Sequence, residues 1–116
     1  MPYSALGKNA MLNALGALAV KASLHTADPG ENGTNEVTGG DPAYAKKTVA
    51  WSAAGSGTMN LDGTAVFDVP AGTTVAFVGF WNTAGAVFYG SADVTDEVFA
   101  AQGTYTLTDA DLDLNA

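Results

Sequence analysis

Thr74–Asn82 reads TVAFVGFWN and is the most hydrophobic run in the chain. β-Branched and aromatic residues fill it without alternation, and Pro70-Ala71-Gly72 interrupts the chain just before it. An apolar run of this kind and length is the pattern of a strand covered on both faces, so it predicts a strand at the centre of a sheet. The flanking segments are its expected neighbours. Upstream, Ala19–Thr26 alternates Val20, Ala22 and Leu24 against Lys21, Ser23 and His25. Lys47–Ala53 alternates Val49 and Trp51 against Thr48 and Ser52 and ends at the turn Ala54-Gly55-Ser56-Gly57. Thr58–Val69 places Met59 and Leu61, then Ala65, Phe67 and Val69, on one side of a turn-containing segment broken at Asp62-Gly63. Downstream, Val87-Phe88-Tyr89 reads as a short strand closed by Gly90, and Ala92–Ala101 as a loop or a short strand around Val98-Phe99. Thr104–Thr108 alternates clearly, and Asp109-Ala110-Asp111 turns the chain into a closing strand, Leu112–Leu114.

Seven or eight short strands with glycine-rich turns predict a mainly β fold: a compact antiparallel β-sandwich or barrel with one N-terminal helix and a long Gly-rich loop. With 116 residues and no interdomain linker or fixed-period repeat, residues 1–116 are expected to form a single domain. The helix spans Ser4–Leu18 within an N-terminal segment 1–18, with Pro2 and Ser4 at its entry and Ser4 as N-cap. Leu6, Ala10, Met11, Ala14, Leu15 and Leu18 recur at three- and four-residue spacing, which predicts that this face docks, on the chain's own sheet or on a neighbouring subunit.

Between the first two strands lies Leu24–Tyr44, LHTADPGENGTNEVTGGDPAY. Asp28-Pro29-Gly30, Asn32-Gly33, Gly39-Gly40 and Asp41-Pro42 are each turn signals, and a connection of this length inside a small domain usually serves function. His25, Asp28, Pro29, Gly30, Glu31, Gly33, Glu36, Gly39, Gly40 and Tyr44 are therefore the expected partner-binding residues. His25 is the only histidine; with no nucleophile motif near it, the favoured reading is a residue that anchors the loop by hydrogen bonds. Asp28, Glu31, Asn32, Asn35 and Glu36 are rich in oxygen, but their spacing misses the calcium-loop pattern, so no metal and no cofactor is expected. Trp51, Trp81, Phe80, Phe88 and Tyr89 lie in strands, where core packing is favoured over a sugar-binding groove.

Charge restricts the partners. Four lysines stand against twelve acidic residues, a net charge of −8, and no basic residue follows Lys47. Nucleic-acid binding is disfavoured because phosphate contacts need clustered cations, and the acidic face is expected to meet solvent or a basic partner. Without cysteine there is no disulfide or thiolate chemistry. No apolar run reaches the roughly 20 residues of a membrane helix, and Met1–Val20 lacks the features of a signal peptide, so neither membrane nor secretion is expected. One His, no Cys and no Arg leave few groups for an enzyme site.

The runs LHTADPG, Asn35-Glu36-Val37-Thr38-Gly39-Gly40 and Tyr44-Ala45-Lys46, followed by Trp51-Ser52-Ala53-Ala54, Phe67–Val75 and Ala110-Asp111-Leu112, resemble a family of small tailed-bacteriophage virion proteins, often labelled tail fibre or minor structural proteins. That pattern tends to carry an arginine where Lys46 stands here. The resemblance implies a non-enzymatic virion protein made in the host cytoplasm, whose partners are other virion proteins, the major capsid protein or tail proteins, and copies of itself. Size and charge favour capsid decoration or a minor capsid role; a tail-associated adaptor or fibre component is the alternative, and a carbohydrate-binding module a third reading.

Overall fold

The computed structural model describes residues 3–115, within which one helix, α1 (Ala5–Leu18), precedes nine strands: β1 (Lys21–His25), β2 (Lys47–Thr48), β3 (Ala50–Trp51), β4 (Thr58–Asp62), β5 (Ala65–Val69), β6 (Thr73–Trp81), β7 (Phe88–Phe99), β8 (Gly103–Leu107) and β9 (Asp111–Asp113). They form three antiparallel sheets, ordered β2-β1-β6-β7, β3-β4-β9 and β5-β8. The apolar run TVAFVGFWN lies in an interior strand as its composition requires: β6 pairs with β1 from Lys21↔Trp81 to His25↔Phe77 and with β7 on its other edge. Leu24, Val75, Val78 and Phe80 of this sheet close against Phe67 and Val69 of β5 and Leu107 of β8 in one buried core. Full burial of each large side chain contributes roughly 1.5–3 kcal/mol.

Two strand expectations are corrected. The segment Lys47–Ala53 is not one strand but two, because it changes sheets at Val49, whose N–H bonds to the Val20 carbonyl at 2.9 Å. β2 stays beside β1 while β3 pairs with β4. Conversely, most of the short strand at Val87–Tyr89 and of the ambiguous Ala92–Ala101 belongs to one 12-residue strand, β7, which runs from Phe88 to Phe99. Gly90 and Ser91 look like punctuation in the sequence, but β6 supplies them with partners, Phe80 and Gly79. Register shifts interrupt this pairing: Val75 faces Glu97 and Phe77 faces Asp93, so Val94-Thr95-Asp96 bulge opposite Ala76.

α1 begins as expected, with the Ser4 hydroxyl accepting from the Gly7 N–H at 3.1 Å; Pro2 lies outside the described residues. The face expected to dock is not the one that packs on the chain's own sheet. Leu12 is the buried residue of the helix, Gly16 lies against Met59 and Trp51, and Leu15 is half-buried, whereas Leu6, Ala10, Met11, Ala14 and Leu18 face outward. The reason is polar. Asn9 and Asn13 sit on the docked side, where their side-chain oxygens accept from the Gly57 and Ala54 N–H groups, each at 2.9 Å. These bonds satisfy the Ala54–Gly57 turn, and hydrophobic periodicity does not register them. No helix among the described residues is long and apolar enough to cross a membrane.

Candidate functional site

The long loop returns to the sheet it leaves. Its second limb runs antiparallel to the end of β1, with Val37 N–H bonded to the Leu24 carbonyl at 2.9 Å, Thr26 N–H to the Asn35 carbonyl at 3.0 Å, and a bridge between His25 and Glu36. The tip closes on itself: Asp28 Oδ1 accepts from the Gly30 N–H at 2.9 Å, the Pro29 carbonyl from the Thr34 N–H at 2.9 Å, and the Asp28 carbonyl from Asn35 Nδ2 at 3.0 Å.

Beneath the tip, Ser23 and His25 are fully buried. His25 Nδ1 is 2.7 Å from the Thr34 carbonyl oxygen, which only accepts, so Nδ1 carries the proton. Nε2 is then the acceptor for the Ser23 hydroxyl at 2.6 Å, and Ser23 Oγ receives the Trp81 indole N–H at 2.7 Å. Every member is satisfied in one arrangement, and that arrangement needs a neutral histidine. Burial holds the His25 pKa below its ordinary value against the opposing effects of the Thr34 carbonyl and Glu36, with Lys46 adding to the lowering. A serine beside a histidine suggests a nucleophile, but this pair is sealed from solvent with its oxygen occupied. It anchors the loop, the role expected of the lone histidine. Two glycines make room for it. A Cβ on Gly79 would stand 2.6 Å from both His25 Nε2 and Ser23 Oγ, and one on Gly33, at φ +73, 2.5 Å from the Trp81 ring.

A second network fastens the return limb. Leu24 N–H donates to Tyr44 Oη at 2.9 Å, the Tyr44 hydroxyl donates to Glu36 Oε2 at 2.7 Å, and Lys46 Nζ reaches Glu36 Oε1 at 2.9 Å. Lys46 also lies 4.3 Å over the Trp81 ring, and Tyr44 stacks on Phe67. Burial, then the hydrogen bond to the Glu36 carboxylate, pushes the Tyr44 pKa up, so the phenol remains a donor. The ion pair itself is partly solvated and contributes about 0–1 kcal/mol. Farther on, Gln102 clamps the Gly39–Tyr44 turn: its Nε2 donates to the Pro42 carbonyl at 3.2 Å and its Oε1 accepts from the Asp41 N–H at 3.3 Å.

The structure thus sorts the expected contact residues. His25, Pro29 and Gly33 are interior, and half-buried Glu36 and Tyr44 are committed to the loop's own bonds. Asp28, Gly30, Glu31, Gly39 and Gly40 are exposed, in two separate groups along the loop. The loop is a braced surface and not a free arm.

One feature was missed from the sequence. Asp93, Asp96 and Glu97, at and beside the β7 bulge, line an open groove of about 610 Å³ together with Tyr105 and Asp109. The only signal was a run of acidic residues without cations. Burial and the Glu97 charge push the Tyr105 pKa up. Among the described residues, no three His, Asp or Glu side chains converge as a metal ion requires. The tryptophans are committed inward: Trp51 Nε1 donates to the Ala19 carbonyl at 2.8 Å with its ring against Phe80, and Trp81 packs edge-on to Phe88.

The family model described as Podophage GP4 fiber I protein gp80 matches residues 3–114, nearly the whole chain. The chain belongs to this family. It is a family of phage virion and fibre proteins, in agreement with the resemblance read from the sequence, and membership places the chain among virion structural proteins. Both loop networks and the acidic groove fall inside the matched span. No curated protein and no solved structure matches the chain significantly.

Proposed function

We propose that this protein is a non-enzymatic component of a phage fibre, or of the adaptor that joins a fibre to the tail, and that it binds neighbouring virion proteins through the exposed parts of the Leu24–Tyr44 loop. The observation that carries this reading is the bracing of the loop from below by His25, Ser23 and Trp81 and from the side by Tyr44, Glu36 and Lys46. A loop ordered before contact avoids the entropy cost of ordering it on binding. The acidic groove beside β7 complements a basic surface on a partner. Capsid decoration, favoured from size and charge alone, takes second place because the family is described by its fibre. The burial of the Ser23–His25 pair, with the serine oxygen already bonded to Trp81, favours the non-enzymatic reading. The host cytoplasm is the expected site of synthesis.

Quantitative mass spectrometry of phage particles, with heads and tails separated, tests the location. The expected result is a low copy number in the tail fraction; copies in the head fraction matching the shell subunits would overturn the fibre reading in favour of decoration. For the loop, Asp28→Ser/Glu31→Ser is expected to fold normally by circular dichroism yet enter particles poorly. Wild-type incorporation would remove the loop tip from the interface.

A further inference from the structure

The outer edge of β7 presents unpaired backbone at two particular residues. In an antiparallel ladder, pairs that exchange both hydrogen bonds alternate with pairs whose N–H and C=O groups point away from each other. Leu24 points away from β6: its N–H donates to Tyr44 Oη at 2.9 Å and its carbonyl accepts from the Val37 N–H at 2.9 Å. Its partner Val78 therefore turns its N–H and C=O toward Ala92 of β7, and Phe80, two residues along, does the same toward Gly90. The pairs between them, Gly79↔Ser91 and Phe77↔Asp93, leave Ser91 and Asp93 with both backbone groups on the side away from β6. Among the described residues no strand, loop or side chain bonds that side. Such an edge is a template for an added strand.

Charge and shape identify the occupant. Asp93, Asp96 and Glu97 line the acidic groove with Tyr105 and Asp109, and among the described residues none of these carboxylates has an ion-pair partner. A second copy of the chain, at net charge −8, would set acid against acid here, and like charges directly opposite destabilise a strand pair. A segment bearing lysine or arginine meets the opposite situation, so the charges that discourage indiscriminate pairing admit it selectively. The other face of the edge has room for apolar side chains. Gly90 and Ala92 are half-buried there, and a Cβ on Gly90 would meet no atom within 4 Å. Successive side chains of a strand point to opposite faces, so the fitting segment alternates basic with apolar residues. We propose that β7 takes up an extended, basic segment of a neighbouring virion protein as an added strand, bonded through its backbone to Ser91 and Asp93 and through its cations to Asp93, Asp96 and Glu97. This pairing rests on the reading of the groove as a contact for a basic partner, and not on a fibre or a capsid location.

Amide shifts and amide exchange of the isotope-labelled full chain, read by NMR, test this with a defined probe, a capped octapeptide alternating lysine and valine. In the free protein Gly90 and Ala92 are expected to exchange slowly and Ser91 and Asp93 fast. With the peptide, the Ser91 and Asp93 amides are expected to shift saturably and to exchange at least about tenfold more slowly. Ser91→Pro removes an N–H that faces solvent and not the β6 ladder, so the fold is expected to hold by circular dichroism while peptide affinity falls at least about tenfold. Asp93→Asn/Asp96→Asn/Glu97→Gln keeps the backbone edge and is expected to weaken the peptide by a similar factor, as added salt does in the wild type. A peptide alternating glutamate and valine is expected not to bind. Ser91 and Asp93 amides already protected in the free protein, equal binding of the glutamate peptide, binding indifferent to the triple variant, or shifts at these amides that follow protein concentration without peptide would each overturn the proposal. Binding that Ser91→Pro leaves unchanged would overturn strand addition and keep the groove as a contact held by charge alone. No saturable shift with the lysine peptide would overturn both.

Discussion

His25 supports the loop only while it is neutral, and this gives stability a pH dependence with a definite sign. Unfolded, its imidazole titrates near the ordinary 6.5, while burial in the fold holds it lower. Above 6.5 both states are neutral and the contribution is complete; as pH falls from 6.5 toward the folded value, the unfolded chain takes up a proton that the fold resists, and stability declines. Protonation would also turn Nε2 into a donor aimed at a serine oxygen that already receives the Trp81 N–H. The groups facing the ring are the Ser23 hydroxyl, the Thr34 carbonyl, Glu36 and Lys46, and the two charged ones oppose each other. Between pH ~7 and ~5.5, above the main carboxylate range, the urea midpoint of the wild type is expected to fall. In His25→Gln, less stable at pH ~7, it is expected to stay nearly flat over that window. Parallel slopes would show that another group carries the effect. Beside it, Lys46 makes the ion pair to Glu36 at 2.9 Å.

Elements in this fold are set by what lies opposite them. Leu12 is 1 % exposed and Leu6 83 %, although both are leucines of one helix. At micromolar concentration, Leu12→Ala is expected to cost about 2–5 kcal/mol and Leu6→Ala no more than about 0.5 kcal/mol. Urea unfolding followed by tryptophan fluorescence measures both, and equal costs would mean that α1 docks by the other face. β7 shows the same dependence at a sheet edge. Among the described residues its outer edge has no strand partner, and a bulge with Asp93, Asp96 and Glu97 discourages further pairing there.

For the molecule as a whole, the balance of charge opposes compaction. Among the described residues one ion pair, Lys46–Glu36, offsets the excess of acid. The radius of gyration is 14.4 Å, against about 13.4 Å for a compact chain of this length, so the acids are spread over a somewhat elongated body. Raising salt from about 0.01 M to about 0.15 M, which shortens the Debye length from about 30 to about 8 Å, is expected to raise Tm. Asp93→Asn/Asp96→Asn/Glu97→Gln is expected to raise Tm at low salt and to flatten that response. A lower Tm, with the salt response unchanged, would show that these groups are satisfied where they stand.

The amino-acid sequence by itself determined the mainly β class, the interior strand in TVAFVGFWN, the Ser4 cap, the turns at Asp62-Gly63 and Ala54–Gly57, the anchoring role of the lone histidine, and the charge asymmetry. Each of these follows from local chemistry: the period of hydrophobicity, the φ a residue tolerates, a side chain's capacity to bond its neighbours. Only the tertiary structure decided which face of α1 docks, that residues 47–51 serve two sheets, that β7 runs unbroken through Gly90, and that the loop is braced with two exposed edges. Those outcomes depend on partners far apart in the chain, Asn9 with Gly57, Ser23 with Trp81, Asp41 with Gln102. A buried hydrogen bond is chosen by the burial of everything around it, and no repeat along the chain encodes that choice.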